Sequence, residues 1–215
     1  FEAVQGLEGL KIHSHILNED GRRCYNRIIM LKIVKDPAPS LRARCKEVPL
    51  PLSDKDKALI DEMMEYLLNT QDPKFLAKHP ETREGVGLAA PQVGHNVRML
   101  VISYPNYDEN GQRDGKTEYQ LVNPKITTTS VRKAYIEAGE GCLSVDSPHP
   151  GHVIRHFKIT VEAYDAKRGE NITITARGYD AIVLQHEIDH LDGILFYDRI
   201  DKASPEKRIP GAYVC

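Results

Sequence analysis

The chain lacks a C-x-x-C pair: its four cysteines, Cys24, Cys45, Cys142 and Cys215, are spread over 215 residues. That spacing argues against a disulfide framework and against an all-cysteine zinc site, and it fits a reducing cytosol. No stretch reaches the roughly 18 consecutive apolar residues that a membrane span needs. The first 29 residues also lack the uninterrupted apolar block of a secretory signal. The protein is therefore expected to be soluble and cytoplasmic, without a membrane partner. A charge bias is missing as well. Lys+Arg 29 against Asp+Glu 31 gives a formal net charge of -2, which does not suggest a polyanionic partner such as nucleic acid. Internal repeats and low-complexity tracts are absent.

What is present suits one ordinary domain, long enough to bury most of its apolar surface. Residue 1 is Phe and the first methionine is Met30, after which MLKIVKDPAPSLRARC reads like the opening of a compact domain. Residues 1–29 show neither strand alternation nor a helical stripe. They are expected to be a leader or an artificially added extension outside the core. The catalytic unit is expected over 30–203 and a C-terminal tail over 204–215. Ser53 is a natural helix N-cap with Asp54 and Asp56 in the first turn, and Leu59, Ile60, Met63, Met64, Leu67 and Leu68 recur at helical spacing to about Asn69. The methionines are core filler rather than ligands. Gln71–Glu84 reads as a long connection, of a length often kept for function.

The period then changes. Segments 97–103, 120–130, 152–164 and 171–177 are rich in β-branched residues with partial alternation, and predict mostly antiparallel strands. The polar runs 107–119 and 165–170 read as hairpin connections between them. The fold class expected is α+β, with antiparallel sheet packed around a final helix, GYDAIVLQHEIDHLDG, that Gly193 stops.

That helix contains H-E-x-x-H. Four residues are a little more than one turn, so His186 and His190 stack on one face, in line with Ile182, in a chelating arrangement. Alone the pattern also fits two histidines satisfied by hydrogen bonds or solvent. A catalytic metal site needs a third protein ligand and one open position. A metzincin would place a histidine where this chain has Phe196, and a thermolysin-like site needs a later glutamate, for which Glu206 in the tail is the sole candidate. Upstream, EGCLS (140–144) offers Cys142, although a lone cysteine is ordinarily inert core. GVGLAAPQVG (85–94) has glycines that allow close backbone approach and Gln92, able to donate a side-chain hydrogen bond.

Taken in order, GVGLAAPQ, EGCLS and QHEIDH resemble the three signature motifs of the peptide deformylases, over about residues 30–201. The stretches around 71–84 and 104–119 resemble those of the longer, Gram-positive-type class. The resemblance implies metal ligands at Cys142, His186 and His190, an acid/base at Glu187, and oxyanion donors in the Gln92 side chain and the Leu143 backbone N–H. It implies a methionine pocket lined by Val86, Glu140, Tyr179, Ile182 and Val183, each equally readable as core. Ferrous iron is the implied metal, replaceable by nickel, cobalt or zinc, all of which a Cys-His-His set accepts. The implied substrate is the formyl-methionine of new polypeptides, met by a monomer at the ribosome exit, with formate released.

The chemistry is coherent without the resemblance. A divalent ion held by these groups lowers the pKa of its water from 15.7 towards roughly 7, while Glu187 moves a proton and Gln92 and Leu143 stabilise the oxyanion. An extended peptide would add to a strand edge, with Val86-Gly87 on one side and Gly151-His152 on the other. The other seven histidines read as ordinary surface or core residues. Two rival readings stand beside this one: a zinc endopeptidase on the same helix, and a non-catalytic metal-binding module, against which intact Glu187 and Gln92 count.

Overall fold

A computed structural model describes residues 31–215. The expectation for residues 1–29 falls outside the described residues. Helix α1 (Asp54–Asn69) begins where Ser53 Oγ accepts the Asp56 N–H at 3.2 Å. It turns Ile60, Met63, Met64 and Leu67 inward, whereas Leu68 is exposed. The period-3.6 face therefore lies one residue short of the stripe read from sequence.

Five strands form the main sheet: β1 (Gly87–Ala89), β2 (Met99–Tyr107), β3 (Arg113–Thr129), β6 (Lys158–Asp165) and β7 (Glu170–Arg177), in the order β1-β2-β3-β6-β7 and antiparallel throughout. Strand β2 shows why its sequence is nearly continuous in apolar residues. Leu100 and Ile102 point into the cluster that contains Leu184 and Ile188, while Met99 and Val101 point into the one that contains Ile60 and Leu67. With both faces covered, alternation disappears. Each fully buried leucine or isoleucine here contributes about 1.5–3 kcal/mol.

A second, three-stranded sheet, β5-β4-β8, comprises β4 (Lys133–Tyr135), β5 (Arg155–His156) and β8 (Tyr213–Val214). Helix α3 (Tyr179–Leu191) packs on β1, β2, β5 and β7, and so stands where the two sheets meet. It ends at Gly193, whose φ of 74° suits a residue without Cβ and whose neighbour, the Arg42 carbonyl, would lie 2.4 Å from one.

Three expectations are corrected. The connection 71–84 holds a short helix, α2 (Pro73–Lys78), with Asp72 accepting the Lys74 N–H at 2.8 Å and Pro73 at the first position; six residues are too few to show a period. The polar run 107–119 is mostly strand, because Pro105–Tyr107 and Arg113–Lys116 pair with each other beyond buried Tyr104, where exposed residues need no apolar face. Finally, the sheets are not antiparallel everywhere: within residues 204–215, Tyr213 and Val214 pair in parallel with Ala134 and Tyr135.

Candidate metal centre and active site

Three chain segments converge on a cleft of about 260 Å³ beside α3. The first is β1 with the 3-10 turn Ala90–Val93, which Gly94 closes at φ 85°. In that turn Gln92 is almost wholly buried, and its Oε1 accepts the Ala89 N–H at 2.9 Å. This fixes the amide so that Nε2 faces Cys142 Sγ at 3.4 Å and Ser144 Oγ at 3.2 Å. The second segment is a tight turn in which Val145 N–H donates to the Cys142 carbonyl at 3.2 Å and Ser144 N–H donates to the Cys142 sulfur at 3.4 Å.

The third segment is α3. One turn of helix brings the His186 and His190 rings to 4.9 Å between centroids, and His190 Nε2 lies 3.3 Å from Cys142 Sγ. One donor atom from each of Cys142, His186 and His190 falls within 4.8 Å of the others, the only such group of three among the described residues. The site tests well as a metal site. His186 uses Nδ1 on the Glu140 carboxylate at 2.8 Å, which leaves Nε2 for the centre. This carboxylate–histidine pairing fixes the ring and raises its basicity as a ligand.

Electrostatics divides the two histidines. Burial alone would lower His186, but the Cys142 sulfur and the Glu140 carboxylate hold it well above its ordinary value, whereas burial, His186 and Arg155 push His190 well below. Burial also pushes the Glu187 carboxyl up to about 7, against the pull of His186 and Arg155. Glu187 is 4% exposed and its Oε2 has no partner among the described residues. Gly87 makes room for it: a Cβ there would lie 2.3 Å from Glu187 Oε1.

Behind Cys142, His186 and His190 runs a chain of buried ion pairs that the sequence reading did not foresee. Burial would raise Glu140, yet hydrogen bonds from Arg155 and His186 bring its carboxyl to about 2. Arg155 grips Glu140 twice, at 2.5 and 2.8 Å, and reaches Asp189 at 2.9 Å; Arg199 holds Asp189 at 2.5 Å through two nitrogens. Glu140 was expected in the methionine pocket and does line the cleft, but its carboxylate serves His186 and Arg155. No local signal marked Arg155, Asp189 or Arg199, since their partners are far away in sequence or belong to other elements.

Val86, Gly87, Gln92, Glu140, Cys142, Leu143, Tyr179, Ile182, Val183, His186 and Glu187 all line the cleft. Gly151 and His152 do not. The His152 N–H is already given to the Pro205 carbonyl at 2.8 Å, and its ring stacks on Tyr135 at 4.4 Å. Pro205 thus occupies the His152 N–H.

Residues 30–206 match the family model described as polypeptide deformylase. A peptide deformylase of Macrococcus caseolyticus is 50% identical over 180 residues, covering 84% of this chain and 95% of that protein. One of Lactobacillus delbrueckii is 52% identical over 178 residues, 83% of this chain and 94% of its own. Among solved structures, the peptide deformylase of Ehrlichia chaffeensis superposes with a TM-score of 0.65 at 33% identity, over 81% of this chain and 90% of that one. A Met-Ala-Ser-bound class I type b deformylase from Acinetobacter baumannii gives 0.65 at 28% identity, over 81% and 100%.

Proposed function

Since the chain belongs to the peptide deformylase family, we propose that Cys142, His186 and His190 hold its metal and that Glu187, Gln92 and Leu143 act on the formyl group. The activity itself is metal-dependent removal of the N-formyl group from nascent polypeptides. The observation that carries the site assignment is the meeting of one sulfur and two imidazoles within 4.8 Å, beside a buried carboxylate with one oxygen unpartnered among the described residues.

A metal held by Cys142, His186 and His190 would supply Lewis acidity, which makes water a readier proton donor near neutral pH. Glu187 would take the proton of the attacking water, whose oxygen adds to the formyl carbon, and would then deliver that proton to the departing amine as the formyl C–N bond breaks. Gln92 Nε2 and the Leu143 N–H face the oxygen on which charge develops, where preorganised donors in a dry site act most strongly. Formate and a free N-terminal methionine result.

Recognition is read as mainly backbone. Strand β1 is an edge of its sheet, open on the side away from β2, and an extended peptide beside Val86 and Gly87 would continue the ladder. Tyr179, Ile182 and Val183 from α3 would form the walls for the methionine side chain, with Val86 opposite. Gly151 and His152 would border the peptide further out. The Acinetobacter relative, bound to Met-Ala-Ser, supports a site for a short methionyl peptide.

We further propose ferrous iron as the resident metal, with nickel, cobalt or zinc able to replace it, in a cytoplasmic monomer meeting chains at the ribosome exit. Residues 30–203 form the catalytic domain in this reading, and no nucleic acid is read as a partner. The sole membrane observation is that, among the described residues, no helix is long and apolar enough to cross one. Anaerobically purified protein should release formate from formyl-Met-Ala-Ser, in a peak eluting near 24.2 kDa that carries iron. A chelator should abolish the release and re-added metal restore it. Internal cleavage of unformylated peptides without formate would instead support an endopeptidase.

The contact at Gly87 yields a second expectation. Gly87→Ala forces the Glu187 side chain aside, and a displacement of about 1 Å costs on the order of 10²-fold in kcat. Tm should fall as well, because the added methyl meets Cδ and Cγ as well as Oε1 of a buried side chain. Paired measurements of kcat and Tm check this; an unchanged kcat refutes the close approach.

A further inference from the structure

Arg83 lies in the connection between α2 and β1, outside the three motifs. Its Nη2 faces the carbonyls of Cys142 at 2.8 Å, Leu143 at 3.0 Å and Val145 at 3.1 Å, and Asp146 Oδ1 at 3.0 Å. Lys35 Nζ meets the same turn, at 2.9 Å from the Leu143 carbonyl and 2.7 Å from Asp146 Oδ1. One nitrogen with two hydrogens shared among four acceptors is a charge-based clamp, in which hydrogen bonds from a cation are stronger than neutral ones.

The consequence concerns the peptide between Cys142 and Leu143. It is trans, so its C=O and N–H point in opposite directions. Holding the carbonyl on the guanidinium aims the Leu143 N–H the other way. That N–H has no backbone acceptor among the described residues, and both Cys142 and Leu143 line the cleft. A cation on the carbonyl also polarises the amide and makes its N–H a stronger donor.

We propose that Arg83 is a positioning residue for the deformylation reaction: through the Cys142 carbonyl it aims and polarises the Leu143 N–H that stabilises the oxyanion. The proposal rests on the deformylase reading of the cleft. Arg83 itself touches neither the metal ligand atoms nor the reacting atoms in this account. It adds a cation to the oxyanion site at one peptide's remove.

The test compares wild type, Arg83→Met and Arg83→Lys as full-length, zinc-loaded protein. Steady-state formate release from formyl-Met-Ala-Ser is measured with zinc content, Tm and the Leu143 amide resonances. Losing an oxyanion donor outright costs about 10²–10³-fold. Arg83→Met leaves the N–H in place and should lower kcat by about tenfold, with KM, zinc content and Tm near wild type. The Leu143 amide proton should move upfield, and Arg83→Lys should recover part of both effects. Unchanged kcat overturns the proposal, as does a rise in KM alone, which would mark a substrate contact. Joint loss of zinc and Tm with an unmoved amide resonance in Arg83→Lys also overturns it, leaving a scaffolding role. If wild type releases no formate, the deformylase reading fails and takes this role with it; an active wild type beside an equally active Arg83→Met refutes Arg83 alone.

Discussion

Glu187→Gln is expected to keep its metal and lose turnover by about 10²–10⁴-fold, the range for removing a positioned general acid/base. The substitution preserves shape, so the Gly87 contact and the packing of α3 should survive. What it removes is the ability to accept a proton. The Glu187 oxygen with no partner among the described residues lies in the same cleft as the ligand atoms, yet Glu187 is not among the three groups that converge. A carboxylate buried without a partner is costly to maintain, which argues for a task other than stability. Measuring kcat and metal content on one sample decides it. Loss of metal in proportion to activity would make Glu187 a ligand or scaffold, and turnover within about threefold of wild type would refute its role.

The second large effect is on stability. Arg155→Met should destabilise the protein by about 3–5 kcal/mol, because it breaks a buried ion pair and leaves Glu140 with His186 as its remaining partner, while Asp189 keeps Arg199. The side chains involved are nearly closed to solvent: Arg155 is 1% exposed, Glu140 3% and Asp189 9%. For a domain of this size the loss corresponds to a fall in Tm of about 10 °C. The damage should also reach the metal. Glu140 would no longer be held against His186, and loss of such an outer partner lowers metal affinity by about 10–100-fold. Thermal unfolding and competition with a chelator report the two effects separately. An unaltered Tm would show that Glu140 and Asp189 find other partners and that the ion pairs with Arg155 carry little. Replacing exposed Lys167, whose Glu118 contact lies at the surface, should change stability by less than about 1 kcal/mol.

The family, and the residues to watch, were legible in three short motifs, because His186 and His190 are placed by helix geometry alone and Gln92 by a turn of a few residues. The α1 cap at Ser53 was equally local. Where the reading went astray, the cause was pairing between distant segments. Polar residues 113–117 form strand because β2 lies alongside them, and Tyr213–Val214 are strand because β4 offers an edge. Glu140 carried a motif glutamate's signal, but its task depends on Arg155, fifteen positions later, and on a helix further on.

The amino-acid sequence by itself determined the final helix with its paired imidazoles, the strand-forming stretches and the kinship to deformylases, since each is written in spacings of a few residues. Only the tertiary structure decided that sulfur and imidazoles meet, that Gly87 lets the Glu187 side chain approach, and that Arg155 and Arg83 stand behind the ligands and the turn. Distances between residues of separate elements depend on how whole elements pack, and local patterns contain no record of that packing.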